Sequence, residues 1–78
     1  MTKNYSDTFF EEMKLLAKFP QKSQLEGLKV HKDADQSVIQ AAQSLFDKGL
    51  ISQHDGGYLT DSGLEITSHL HHVLVALA

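Results

Sequence analysis

Residues 35–63 read DQSVIQAAQSLFDKGLISQHDGGYLTDSG, and this stretch decides the fold. Val38, Ala41, Ala42, Leu45 and Phe46 recur at helical spacing with Ile39 beside them, which predicts an amphipathic helix over about residues 35–48. Asp35 or Asp33 is placed to cap its start. Lys48 suits the negative end of the helix dipole, and Gly49 stands where a left-handed terminating residue belongs. The outward positions are Gln36, Ser37, Gln40, Gln43, Ser44 and Asp47, nearly all uncharged amides and hydroxyls. Leu50-Ile51 and Tyr58-Leu59 then flank an Asp55-Gly56 pair, a strong hairpin signal because a tight turn needs the positive φ that glycine adopts without strain. Thr60, followed by Asp61, reads as the cap of a further helix.

That last helix carries Ile66, Leu70, Val73, Leu74 and Leu77 on one expected face. From Val73 to Ala78 every residue is apolar, so no polar face remains there. Upstream, Ser6 can cap a first helix with Asp7, Glu11 and Glu12 near its positive end. Its expected apolar face is Phe9, Phe10, Met13, Leu16 and Ala17, with Lys14 and Lys18 opposite and Phe19-Pro20 closing the element. Between Gln21 and Ala34 both a short helix and a short strand fit. Gly27 to His31 alternates as a brief strand with Leu28 and Val30 inward, and a helical turn over Gln21–Glu26 could precede it.

Helix, brief strand or turn, helix, Gly-Leu-Ile, hairpin, helix is the element order of a winged helix-turn-helix domain. Gln36 to Gln40 followed by Leu45 to Ile51 resembles the recognition helix of bacterial winged-helix regulators running into the wing. Gly56 to Gly63 is similar to the wing's return strand and the Leu-Thr-x-x-Gly start of the next helix. The whole chain also resembles a family of short uncharacterised bacterial proteins, some of them labelled DNA-binding. The resemblance implies a mainly α (α+β) winged-helix-like domain over residues 1–78, with three or four helices and a small β-hairpin wing. It also implies a DNA-binding or regulatory role. The segment from Phe19 to Asp35 is short for the extra helix of the usual helix-turn-helix pair.

Composition sets limits on these expectations. The chain has 78 residues, ten acidic side chains against seven lysines, no arginine and no cysteine, for a net charge of −3. Disulfides, thiolate metal sites and cysteine nucleophiles are excluded together, which points to a reducing cytoplasm. No signal peptide or membrane span is read from the sequence. DNA-binding domains are usually basic, because phosphate neutralisation supplies most of their affinity. Here the lysines concentrate in the first half, while residues 49–78 hold none and carry four of the five histidines. Guanine reading by arginine is excluded, whereas glutamine can read adenine through a bidentate contact.

The candidate DNA-contacting residues are Lys29, Lys32, Gln36, Ser37, Gln40, Gln43, Ser44, Lys48, Gln53 and His54. The alternative role is protein–protein contact without DNA. Clustering of Lys14, Lys18, Lys29 and Lys32 beside Gln36–Gln40 would favour DNA, and scattering would favour protein contact. A homodimer is expected through Leu70, Val73, Leu74 and Leu77 with His69 and His72 at its rim. In the other reading, the last helix is buried within the monomer. His69 and His72 share a face with Glu65, but they match no zinc signature, so neither a metal nor another cofactor is expected. No Gly-rich phosphate loop, His-Glu-x-x-His helix or nucleophile turn is present, and a closed pocket of about 300 Å³ or more is not expected in so small a domain. An enzyme is therefore not expected.

Overall fold

A computed structural model describes residues 7–20 and 26–78. The Ser6 cap and all but the last residue of the turn expected over Gln21–Glu26 lie outside these residues. The elements are α1 (Asp7–Lys18), β1 (Leu28–Lys29), α2 (Gln36–Asp47), β2 (Ile51–Gln53), β3 (Gly56–Leu59) and α3 (Asp61–Leu77). Three helices with a small antiparallel sheet make a mainly helical α+β fold that fits a winged-helix-like description. β3 is the central strand, so the sheet order is β1-β3-β2. The hairpin is thus joined by a third strand, Leu28 facing Gly57 and Lys29 facing Gly56. Across β2–β3, Ile51 faces Leu59 and Gln53 faces Gly56, with an irregularity between them. No helix intervenes between β1 and α2; residues 30–35 make the connection through a turn in which Ala34 N–H donates to His31 O.

Local chemistry explains the element ends. Gly49, at φ 75°, terminates α2: its N–H donates to Phe46 O, and Leu50 N–H reaches back to Leu45 O, the paired bonds of a Schellman motif. Thr60 caps α3 by accepting from Gly63 N–H at 3.0 Å, and its hydroxyl donates to Gly49 O at 2.7 Å. One threonine therefore joins the end of α2 to the start of α3. Asp35 occupies the N-cap position of α2, but only its backbone carbonyl takes part, accepting from Val38 and Ile39; its side chain makes no capping bond. Gly56, at φ 119°, lies so near β1 that a Cβ there would overlap the Leu28 carbonyl oxygen.

The core is Leu15, Leu16, Phe19, Val30, Ala41, Ala42, Leu45, Ile51 and Leu59. α1 packs chiefly on α2. The expected core face of α1 needs correction, because Phe10 is half exposed while Glu12, Leu15, Leu16 and Phe19 are buried. Those four share one helical stripe, and the stripe holding Phe10, Met13 and Ala17 lies beside it. Phe46 is also not a core residue. Leu45 takes the inward position, and Phe46, about 100° further round the helix, stands edge-on to His54 with ring centroids 6.5 Å apart.

On α3 the buried residues are Gly63 and Thr67, with Leu64, Leu70 and His71 half buried. A Cβ at Gly63 would overlap the Leu50 carbonyl, so this close approach requires glycine. Ile66, Val73, Leu74 and Leu77 are exposed instead of buried. The reading in which α3 is buried within the monomer is therefore overturned.

Candidate functional site

The residues singled out in the sequence divide between the two ends of α2. At its carboxyl end, Lys48 Nζ donates to Glu12 Oε2 at 2.7 Å, and Ser44 Oγ donates to the same oxygen at 2.8 Å. The Glu12 side chain is only 9% exposed, so this carboxylate is a built-in tie between α1 and α2. Lys48 and Ser44 are engaged within the fold. Gln43 Nε2 donates to Asp47 Oδ1 one turn further on, closing the outer face at this end.

The amino end of α2 is open. Gln36, Ser37 and Gln40 are exposed there. Ile39, at the same end of α2, lines a cleft of about 460 Å³ with Lys29, His31, Lys32, His54 and Asp55. The strand–turn–helix connection delivers Lys29, His31 and Lys32 to one wall. The hairpin delivers His54 and Asp55 to the other, fixed by Val30 N–H donating to Asp55 O at 2.7 Å. Lys29 Nζ donates to Asp55 Oδ2 at 2.5 Å and holds its carboxyl below the ordinary value of 3.8. Both side chains reach solvent, so the pair is screened and easily exchanged. Lys32 makes no ion pair among the described residues. Gln53 is exposed on β2, beside the hairpin tip.

Lys14 and Lys18 do not join this group. They line a separate apolar groove of about 450 Å³ with Phe10, Met13, Val38 and Leu74, and the two clefts share no residue. The lysines are therefore scattered over two patches on either side of the Val38–Ile39 edge of α2. Both clefts are troughs between neighbouring elements rather than closed cavities. Each is open to solvent.

Glu12 is the residue that the sequence reading misjudged most. The sequence gives it only a place near the positive end of the helix dipole, and the structure makes it the buried acceptor for Lys48 and Ser44. Its signal was present: Glu12 lies three and four residues before Leu15 and Leu16 and seven before Phe19, inside their stripe. Among the histidines, His69 and His72 are exposed, whereas His71 is half buried with its Nε2 lacking a hydrogen-bond partner among the described residues. Among those residues no three histidine or carboxylate side chains gather to hold a metal ion. No helix among them is long and apolar enough to cross a membrane.

The family model for a family of unknown function (DUF5669) matches residues 3–78, and the chain belongs to that family. No curated protein and no solved structure matches it.

Proposed function

We propose that this DUF5669 protein is a small DNA-binding, regulatory winged-helix-like protein that works without catalysis and contacts DNA with the open amino end of α2. One observation supports the reading: Gln36, Ser37 and Gln40 are exposed on the same end of α2 as Ile39, which lines a cleft whose walls bring Lys29, Lys32, His31, His54 and Asp55 together. Glutamine in a major groove supplies a bidentate partner for adenine, and the flanking lysines supply phosphate contacts. Gln53 and His54, near the hairpin tip, extend the surface, and Gln43, further along the exposed face, joins it by giving up its bond to Asp47. Lys48 and Ser44 contribute through the tie to Glu12, which holds α2 in place, and not through contact with the duplex.

Electrostatics sets the strength. Asp55 neutralises Lys29 in the free protein, and Asp33 and Asp35 lie next to Lys32 in the sequence, so a phosphate has to compete for these cations. Binding is weak and salt-sensitive. Two phosphate contacts give a log–log salt slope of about −2. Fluorescence anisotropy of a labelled duplex, titrated between low and moderate salt, measures that slope. Absence of binding at ~50 mM salt, where counterion release favours association most, overturns the reading.

The protein-contact alternative keeps one specific support. Lys14 and Lys18 lie away from the α2 cleft, in an apolar groove, which is the scattering that favours a protein partner over DNA. A duplex that fails to bind leaves this second reading standing.

A further inference from the structure

On α3, Ile66, Leu70, Val73 and Leu77 follow one another at steps of four, three and four residues. At about 100° per residue they fall within about 60° of one another, the seam of a helix made to pair with another helix. Three of its four residues face solvent, Ile66 46% exposed, Val73 52% and Leu77 80%, while Leu70 is half buried against the core. It also borders the apolar groove of α1, where Phe10, Met13 and Ala17 meet Leu70 and Leu74. Seam and groove therefore form one continuous apolar surface running along two helices.

The charges around this surface fit a second copy of the same chain. From Ile66 to Ala78 there is no aspartate, glutamate, lysine or arginine, so two such faces meet without repulsion. The last turn of α3 carries no basic residue, leaving its negative carbonyl end without a compensating cation. Lys14 and Lys18 line the groove with Glu11; Glu11 holds Lys14 at 3.1 Å, and Lys18 is the cation offered to a neighbouring helix end. We infer that α3 is a self-association helix: two copies pair through the Ile66–Leu70–Val73–Leu77 seam, each α3 seated against the α1 groove of its partner. A two-fold axis makes the contact self-complementary. The inference is independent of the DNA reading, since it uses none of the residues at the open end of α2.

Val75 supplies an internal control. It is 76% exposed, yet it lies about 180° round the helix from Ile66, opposite the seam. Sedimentation velocity on the full chain at neutral pH compares the wild type with Val73→Glu, Leu77→Glu and Val75→Glu, all at solvent-facing positions and checked for retained helix by circular dichroism. The expected result is a wild-type dimer at ~100 μM, with Val73→Glu and Leu77→Glu each raising the dissociation constant at least about tenfold, as loss of a central contact does, and Val75→Glu leaving it unchanged. A wild type that stays monomeric overturns self-pairing. Equal disruption by Val75→Glu overturns the seam, because association would then be unspecific apolar sticking.

Discussion

The two ends of α2 carry similar chemistry, a lysine paired with a carboxylate and a neighbouring polar residue, and they behave as opposites. At the carboxyl end, Lys48 reaches a carboxylate that is 9% exposed and already accepts from Ser44. At the amino end, about 16 Å away by helical rise, Lys29 reaches an Asp55 carboxylate that solvent shares. Burial makes the difference. A desolvated carboxylate left without its cation carries the full cost of its missing partner, whereas an exposed one regains water. One end of α2 is therefore fastened to the fold, and the other is left free to exchange partners.

The largest effect expected is on the core that both ends share. Leu45→Ala empties a buried site between α1, α2 and the sheet, and a loss of about 2–5 kcal/mol in denaturant titration is expected. A loss below about half a kilocalorie would mean that Leu45 does not hold α2 in place, since the smallest leucine-to-alanine costs are several times larger.

Next come the two ion pairs. Glu12→Ala and Lys48→Ala should each cost about 1–3 kcal/mol. The double variant should cost clearly less than the sum, because both single changes break the same contact. Lys29→Ala should leave the unfolding midpoint almost where it was. Equal costs at the two ends would erase the distinction between a fastened end and an open one.

The smallest effect is a titration. Lys29 depresses the Asp55 carboxyl, so the pair's contribution is fully present above the ordinary value of 3.8 and disappears as pH falls through the lower folded value. Carboxyl resonances followed by NMR should give Asp55 a midpoint below 3.8 in the wild type and closer to it in Lys29→Ala. An Asp55 midpoint that does not move in Lys29→Ala would show that the pair does not persist in solution.

What the sequence made legible was whatever local chemistry decides. Gly49 ending α2 and Thr60 starting α3 were each readable, because a cap or a positive φ needs only neighbouring residues; the hairpin was readable too, although its turn falls on His54-Asp55 and Gly56, at φ 119°, opens β3. The rotational setting of the helices was less readable. On α1, two apolar stripes lie side by side, and the buried one contains Glu12, whose charge disguised it. On α3, the side facing the body is built from Gly63, Thr67 and His71, since the approach to Leu50 leaves room only for a glycine at its nearest point. Apolar periodicity therefore pointed to Ile66 and Val73, which face solvent. At the candidate site, the residue types were visible in the chain. Their division was not: Lys48 pairing across 36 residues and Lys29 across 26 are decided by tertiary packing alone.

The open end of α2 is tested most directly by comparing lysines at its two ends in one DNA-binding assay. Anisotropy of a labelled duplex at ~50 mM salt, where phosphate contacts dominate affinity, is measured for the wild type, Lys29→Ala/Lys32→Ala and Lys48→Ala, each confirmed folded by circular dichroism. The account predicts measurable wild-type binding, loss of most of it in Lys29→Ala/Lys32→Ala, and near wild-type affinity in Lys48→Ala. Equal losses at both ends, or no wild-type binding at all, would contradict it.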